Sequence, residues 1–526
     1  MSFQTSMRDA RIPPVAIFIL IGVAALFYVL TIRAGHTWGG DFALYIAHAK
    51  NIATGQPYAD TGVIYNTNIP SMSPSTYPPV YPAILAPVYR IFGLDLYAMK
   101  VEGIAIFTAF LVFFYFYARA RLESSWAQLG AVAAIAFSPW FWKLKDSILS
   151  DYAFLLFTYA AIVLMDRLSD RQAAGGRSML FAVVVGLVAY LSYGTRSLGL
   201  LLIPALILLD IVRFRTVSRA TMVVTLVFAA GYAVQYAELQ TDQSYVNSLK
   251  VAIQGSNDQD AATDGTVTAE PQTLPGYQRL LNRIWANLRY YDQIMRSYWF
   301  KGSQNLSAIV YAGTGVLAIF GFLVLVRNRP GSGDMFFLLY ATVLLLVPFV
   351  QKERYLLPLV PLYFVYLFRG AETVLGSRSS IAGKFPLAQV IVPLGLLLVT
   401  AWSYTTYYSP GMLADISYGV ESKETTEMFE FIRRNTPEDS VIIFRKPRPL
   451  ALMTGRRAST IHRPDDPEEL LAYFVQIDAS YIVEPKESSR VPHWDYVHDW
   501  IAHYADKMEP VFENADFRVY RMDIKS

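Results

Sequence analysis

Long apolar stretches recur through the first four hundred residues of the chain, separated by short polar segments. A window of about 17–25 apolar residues is long enough to cross a bilayer as an α-helix. Eleven such windows predict spanning helices near 14–32, 97–118, 126–142, 150–166, 178–194, 197–213, 219–238, 304–326, 334–350, 355–376 and 386–407. The first window lacks a small-x-small cleavage pattern before the polar break that follows it, so we interpret it as an uncleaved helix. The pattern predicts an α-helical polytopic membrane protein.

The C-terminal tail has a different pattern. From Glu421 charged residues return, and helical and strand periodicities alternate. The pattern predicts helices at 424–434, 468–475 and 493–504, and strands at 440–444, 481–483, 511–512 and 517–520. About a hundred residues of alternating elements suffice for a small α/β domain. The sequence thus predicts a transmembrane domain, residues 1–407, followed by an α/β domain, residues 408–526.

The basic residues of the short loops predict the orientation, because cytoplasmic loops are enriched in lysine and arginine. With the N-terminus inside, the cytoplasmic segments hold Arg8, Arg11, Arg119, Arg121, Arg167, Arg171, Arg177, Arg213, Arg215, Arg219, Arg327, Arg329, Arg369, Arg378 and Lys384. The short outside turns hold only Lys143, Lys145, Arg196, Lys352 and Arg354. This asymmetry predicts that the loops 34–96 and 239–303 and the α/β domain are extracytoplasmic.

Composition agrees with a membrane protein and excludes several functions. The 526 residues are 54% hydrophobic and 17% charged, with a mean hydropathy of +0.31, which is too apolar for an ordinary soluble chain. A net charge of +3 is too small to indicate a nucleic-acid partner. Because the chain has no cysteine, disulfides, thiol catalysis and cysteine metal sites are excluded. Extracytoplasmic loops without cysteine suit a bacterial inner membrane.

Two aspartates stand at the predicted outer membrane boundary. Asp41 follows Gly40 at the start of a helical pattern in the first loop, and Asp151 opens the fourth span. A carboxylate there is costly unless it caps a helix, pairs with a cation or takes part in function. The outside basic residues have two interpretations as well. They are interfacial anchors, or they bind a phosphate-bearing substrate beside the carboxylates.

Five features, taken in chain order, resemble the GT-C superfamily of glycosyltransferases. They are Gly40–Asp41 with Tyr45, then Tyr77–Pro78–Pro79 with Tyr81–Pro82, Ser150–Asp151, Gly194–Thr195–Arg196–Ser197–Leu198–Gly199–Leu200, and Glu353–Arg354–Tyr355–Leu356–Leu357–Pro358. The chain is similar to the branch that contains protein O-mannosyltransferases and the lipid A aminoarabinose transferase. The resemblance runs from Arg11 to about Tyr407, and the tail is similar to the extracytoplasmic α/β domains of some bacterial members.

The resemblance implies a GT-C-like fold and a role for each matched residue. Asp41 is expected to be the catalytic carboxylate and Asp151 the second acidic residue, although the sequence leaves Asp146 open for that position. Arg196 and Arg354 are expected to contact the lipid phosphate. The outward lysines are expected to assist them, and four tyrosines to line the pocket. These are Lys143, Lys145, Lys352, Tyr45, Tyr77, Tyr81 and Tyr355.

The chain also departs from the family pattern. The aminoarabinose enzyme has an acidic residue and a lysine before its first-loop proline, where this chain has Ser75, Thr76 and Tyr77. The departure argues against a metal site there and leaves the sugar open. We expect no required cofactor, while a divalent metal ion remains compatible with the chemistry.

The implied activity is an inverting transfer of a sugar from a polyprenyl-phosphate donor to an extracytoplasmic glycolipid, polysaccharide or protein. A carboxylate whose pKa is raised by partial burial would act as the general base, and arginines would stabilise the leaving phosphate. The main alternative is a flippase or transporter of lipid-linked sugars without transferase activity. A third interpretation is a scaffold or sensor in which both aspartates only cap helices.

Overall fold

A computed structural model describes residues 12–66, 76–176, 179–239, 276–347, 350, 352–376, 388–461, 467–491 and 495–524. Much of the predicted second outer loop, residues 240–275, lies outside the described residues. Up to residue 405 the described elements are helical. They are α1 Pro14–Leu30, α2 Asp41–Thr54, α3 Val80–Phe92, α4 Leu96–Arg121, α5 Ser125–Ala136, α6 Pro139–Leu144, α7 Asp151–Ala173, α8 Met179–Tyr193, α9 Leu202–Phe214, α10 Arg219–Leu239, α11 Gly276–Ser297, α12 Gln304–Asn328, α13 Ser332–Leu346, α14 Val360–Gly376 and α15 Ala388–Thr405.

Every predicted span coincides with a helix, but the helices differ in length. Five described helical segments are long and apolar enough to cross a membrane: α4, α7, α10, α12 and the segment Ser197–Phe214, which joins a 3₁₀ turn to α9. The count of eleven spans stays a prediction. The window 126–142 is split in the structure, because Pro139 has no N–H group and starts the separate helix α6 after Ser138.

The first loop folds back on the helical bundle through α2. Residues 42–49 of this helix are all buried. The Asn51 side chain donates hydrogen bonds to the carbonyls of Pro57 (3.0 Å) and Asp60 (2.7 Å). These bonds satisfy the carbonyls of a turn that has no regular partner. The loop is therefore held tightly against the outer ends of the helices.

The tail contains a five-stranded sheet with helices packed around it. Its elements are α16 Pro410–Leu413, α17 Lys423–Asn435, β1 Val441–Ile443, α18 Pro447–Thr454, β2 Arg457–Ser459, α19 Pro467–Gln476, β3 Ala479–Pro485, α20 Asp495–His503, β4 Met508–Glu513 and β5 Phe517–Met522. The strand order is β2-β1-β3-β5-β4. The three strands β2, β1 and β3 are parallel, and β5 is antiparallel to both of its neighbours. The predicted strands lie in this sheet, whereas β2 and α18 had no counterpart in the sequence pattern.

The tail is hydrogen-bonded to the first loop at two places. Next to β2, the Ala458 N–H donates to the Gly62 carbonyl at 2.9 Å, and the Ile64 N–H donates to the Ala458 carbonyl at 2.8 Å. Where the tail leaves the bundle, the Ile416 N–H donates to the Ala34 carbonyl at 2.8 Å. Backbone bonds of this kind fix the sheet's position relative to α2.

Candidate active site

Asp41 and Asp151 are the first residues of α2 and α7, and neither side chain caps its own helix. The N-cap positions belong to Gly40 and Ser150, and neither makes a side-chain capping bond. The capping interpretation of both aspartates is therefore wrong. Their carboxylates point instead to hydrogen-bond donors on other elements.

Arg354 joins the two carboxylates. It lies in the 3₁₀ turn Lys352–Tyr355. Its Nη1 lies 3.1 Å from Asp41 Oδ2, and its Nη2 lies 2.9 Å from Asp151 Oδ2. Arg196 Nη1 donates to the other oxygen of Asp151 at 2.9 Å. The structure thus brings together four residues that the sequence analysis singled out, and Asp151 rather than Asp146 is the second acidic residue beside Asp41.

A third arginine, Arg448 of α18, reaches the same place from the tail. Its Nη1 lies 3.2 Å from the Tyr77 hydroxyl and 3.8 Å from Asp41 Oδ1. The Tyr77 hydroxyl donates to Asp41 Oδ1 at 2.7 Å. Sequence reasoning missed Arg448. A signal was present, because basic residues cluster directly after a buried strand in Arg445–Lys446–Pro447–Arg448.

The charges around Asp41 set its ionisation. Burial raises the pKa of this carboxyl, but the Arg354 guanidinium, the Tyr77 hydrogen bond and Arg448 together hold the pKa below its usual value. The expectation of a raised pKa is therefore wrong for this state of the site, because burial is outweighed by positive charge. Asp41 is ionised, and its side chain is 31% exposed.

Three other predicted pocket residues lie around this centre. The Tyr45 ring packs against Tyr77 (4.7 Å between centroids) and edge-on against Tyr81 (5.0 Å). The Tyr45 hydroxyl lies 2.8 Å from Ser150 Oγ. Tyr355 follows Arg354 in the 3₁₀ turn and is half-buried. Aromatic rings of this kind form a rigid wall beside the carboxylates.

His48 supports Tyr77 from behind. Its Nδ1 lies 2.7 Å from the Tyr58 carbonyl, and its Nε2 lies 3.3 Å from the Tyr77 N–H. The two contacts assign a neutral ring that donates from Nδ1 and accepts at Nε2. Burial lowers the pKa of His48 to about 4. His48 thereby fixes the backbone of the residue whose hydroxyl binds Asp41.

The three predicted lysines do not join this arrangement. The Lys145 amino group lies 2.7 Å from Asp146 Oδ2, which also binds Arg33 Nε at 2.6 Å. Lys145 is buried over the Trp142 ring, and burial lowers the pKa of its amino group to about 8. This group braces the end of α1. Lys143 and Lys352 are exposed.

The carboxylates and imidazoles of the described residues do not gather into a metal cluster. In this part of the chain, no group of three or more His, Asp and Glu side chains lies close enough together to hold an ion. The expectation that no cofactor is required stays a prediction.

Comparison with known proteins places the fold. No family model matches the sequence, and no curated protein matches it. Solved structures do match. ArnT from Cupriavidus metallidurans, determined with undecaprenyl phosphate, has a TM-score of 0.59 and 11% identity over 96% of this chain and 97% of its own.

Two further structures agree. The Archaeoglobus fulgidus oligosaccharyltransferase has a TM-score of 0.55 and 12% identity over 89% of this chain and 69% of its own. The mycobacterial arabinofuranosyltransferase AftD has a TM-score of 0.55 and 12% identity over 97% of this chain, which spans only 42% of that enzyme. Identities this low establish the fold and no more. These neighbours are GT-C glycosyltransferases, and the chain has the GT-C fold.

Proposed function

We propose that this protein is an integral membrane glycosyltransferase that moves a sugar from a polyprenyl-phosphate donor to an acceptor at the outer membrane boundary. The observation that carries the proposal is the bridge from Arg354 to both Asp41 and Asp151 at the ends of membrane-length helices. The solved relatives support the donor class. ArnT was determined with undecaprenyl phosphate, and an archaeal relative, AglB, with dolichol phosphate.

The charge balance of the centre favours an anionic substrate. Three guanidinium groups (Arg196, Arg354 and Arg448) surround two carboxylates, so the centre carries an excess of positive charge. The side chains of Arg196 and Arg354 are 17% and 23% exposed, so both are accessible from the cavity side. Planar guanidinium groups bind phosphate oxygens through paired N–H donors. We assign the donor phosphate to Arg196 and Arg354.

The proposed reaction is a direct displacement at the anomeric carbon. Asp41 accepts the proton of the acceptor hydroxyl while that oxygen forms a bond to the anomeric carbon. The bond between the anomeric carbon and the phosphate oxygen breaks, and its electrons leave with the polyprenyl phosphate. Because one displacement occurs, the anomeric configuration inverts. Positive charge aimed at the leaving phosphate stabilises the transition state.

Donor binding would also change the basicity of Asp41. In the substrate-free site Arg354 divides its N–H donors between Asp41 and Asp151. A phosphate that draws Arg354 toward itself weakens the contact with Asp41 and raises the pKa of this carboxyl. The carboxylate then becomes a stronger base only after the donor is in place, which limits transfer from an unoccupied site.

The topology remains a proposal with a direct test. We place the N-terminus in the cytoplasm and the tail outside the inner membrane of a bacterium. Reporter fusions after Arg177 and after Ser526 should then report inside and outside, respectively. The opposite pattern would place the Asp41 centre on the cytoplasmic side and overturn the proposed location.

Deletion and complementation test the activity for any sugar, because the missing group identifies itself by its mass. Deleting the protein should remove a sugar from an envelope glycolipid, polysaccharide or protein, as read by mass spectrometry. The wild-type chain should restore the sugar, and D41N should not. Restoration by D41N would remove Asp41 from the base role. If lipid-linked sugar instead accumulates on the cytoplasmic face, the transporter alternative gains the support.

A further inference from the structure

The tail reaches the catalytic centre through a deeply placed side chain. Arg448 is only 7% exposed although it carries a charge. Its guanidinium group lies over the rings of Tyr65 (5.7 Å) and Tyr77 (5.5 Å). Burying a charge of this kind is costly unless it is paired and hydrogen-bonded. The Tyr77 hydroxyl and the Asp41 carboxylate supply that compensation.

The position of Arg448 depends on how the tail is docked. Arg448 lies in the first turn of α18, which packs against α2, the helix that begins with Asp41. The strand that follows, β2, is hydrogen-bonded to the first loop through Ala458 and Gly62. The same backbone contacts that attach the tail to the bundle therefore aim Arg448 at Asp41.

We propose that the tail completes the catalytic centre and that Arg448 is a positioning residue, which fixes Asp41 and Tyr77 for proton transfer. The proposal rests on the proposed function, because it assigns a role relative to Asp41 as the base. Arg448 differs from Arg196 and Arg354 in one respect. It contacts Asp41 and Tyr77 but neither oxygen of Asp151.

This separation of contacts gives Arg448 a distinct task. When the donor phosphate draws Arg354 away, Asp41 loses one of its two cationic neighbours. Arg448 and the Tyr77 hydroxyl remain on the other oxygen, Asp41 Oδ1, and keep the carboxylate oriented toward the acceptor. Misplacing a reacting group by about 1 Å can cost roughly a hundredfold in rate. Arg448 should accordingly affect the transfer rate more than donor affinity.

The test uses the full-length chain in membranes, with transfer of the sugar identified from the deletion strain as the readout. R448Q should lower the maximal transfer rate about ten- to a hundredfold. It should leave the affinity for undecaprenyl phosphate, used as the binding probe, within about twofold, because a contact missing from the phosphate site contributes little to it. R448K, which keeps the charge, should recover part of the rate.

A pH profile separates positioning from a merely structural role. The charged and titratable groups that face Asp41 are Arg354, Arg448, Tyr77 and, across Arg354, Asp151. Removing Arg448 raises the pKa of Asp41, so the acidic limb of the rate profile should move to higher pH. The ratio of R448Q to wild-type rates should fall as pH is lowered from about 7 to about 4.5.

Arg456 provides the matched control within the same tail. It is equally buried, but its guanidinium group bonds Thr436 and the Arg433 carbonyl, away from the bundle. R456Q should destabilise the tail without moving the acidic limb. The absence of cysteine allows a second check. A cysteine pair at Val63 and Ala458, which form a bridge between first loop and tail, should cross-link in R448Q as in the parent.

The outcomes are distinguishable. If R448Q keeps the wild-type rate and pH profile, or if R456Q moves the acidic limb equally, Arg448 has no positioning role. Failure of R448Q to cross-link, together with full activity in R448K, would assign Arg448 to docking alone and overturn the proposal. If D41N retains transfer, the proposed function itself fails, whatever Arg448 does.

Discussion

Two clusters of buried charges lie about one bilayer leaflet apart along α7, and they are built on opposite principles. The Asp41–Asp151 cluster comprises Asp41, Asp151, Arg196, Arg354 and Arg448. The Arg121–Asp334 cluster comprises Arg121, Asp166, Asp334 and Tyr366. Asp151 and Asp166 are fifteen residues apart on α7, which corresponds to about 22 Å.

The Arg121–Asp334 cluster is closed. The side chains of Arg121 and Asp334 are 5% and 0% exposed, and they form a direct ion pair. The carboxylate oxygens are satisfied locally, since Asp334 also accepts from the Gly331 N–H and the Tyr366 hydroxyl. Asp166 accepts from the Ser332 N–H and hydroxyl. Such a network joins helix ends and keeps its charges away from solvent.

The Asp41–Asp151 cluster is open. Its arginines outnumber its carboxylates, and Asp41, Arg196 and Arg354 each keep part of the side chain exposed. An arrangement for stability alone would close and balance these charges. The comparison teaches that charge excess and partial exposure, rather than the presence of buried ion pairs, distinguish the candidate site.

Replacing Asp41 should have the largest effect on activity. D41N removes the proton acceptor while keeping the shape of the side chain, so transfer should fall roughly 10²–10⁴-fold. The unfolding temperature of the purified protein should stay close to that of the wild type, because Asp41 is partly exposed. A large loss of stability would mean that the two clusters share a structural role.

Breaking the Arg121–Asp334 pair should have the largest effect on stability. R121M leaves Asp334 buried without its cation, which should cost about 3–5 kcal/mol, measured by thermal or denaturant unfolding in detergent. Transfer per folded molecule should be unchanged. Lost activity in the folded fraction would contradict the division between the two clusters.

Acid should weaken the support of the Asp41–Asp151 cluster through His48. Its pKa is lowered from 6.5 to about 4 in the folded chain, so the unfolded chain binds a proton first as pH falls. The stability that neutral His48 provides is complete above about pH 6.5 and is lost progressively toward about pH 4, at most roughly 3 kcal/mol. H48Q should flatten this part of the stability–pH curve, and an unchanged slope would exclude His48.

Removing one phosphate contact should have a smaller effect that is confined to the lipid. R196A should weaken undecaprenyl phosphate binding roughly ten- to a hundredfold, corresponding to a charge-assisted bond of about 1.5–3 kcal/mol. Acceptor affinity should not change. A change in acceptor affinity alone would reassign Arg196.

The lysines should give the smallest effects and separate the brace from the site. K145M removes a buried partner of Asp146 and should cost about 1–3 kcal/mol of stability, with lipid affinity unchanged. K143Q, at an exposed position, should alter stability by less than about 0.5 kcal/mol. Weaker lipid binding in either variant would restore the phosphate role that the sequence suggested.

Hydropathy located the helices because membrane-length apolar segments form a local signal, which does not depend on packing. The pairing of Asp41 with Asp151 followed from the resemblance and not from spacing, since 110 residues separate them in the printed sequence. Lys145 was misjudged because its ion pair with Asp146 becomes a closed brace only once Arg33 folds onto it.

Arg448 escaped prediction for a related reason. Its role depends on tail docking, and the backbone bonds that dock the tail leave no trace in composition or periodicity. The strand β2 is only three residues long, which is too short for an alternating pattern to be recognised. The centre is thus completed by a contact between distant parts of the chain.

The most direct measurement is an experimental structure of the protein with undecaprenyl phosphate. The proposed site predicts the phosphate within hydrogen-bond distance of Arg354 and Arg196, with Arg354 drawn from Asp41 while Arg448 stays beside Asp41 and Tyr77. A phosphate bound elsewhere, such as at the Arg121–Asp334 end of the bundle, would contradict the assignment of the Asp41–Asp151 cluster as the donor site.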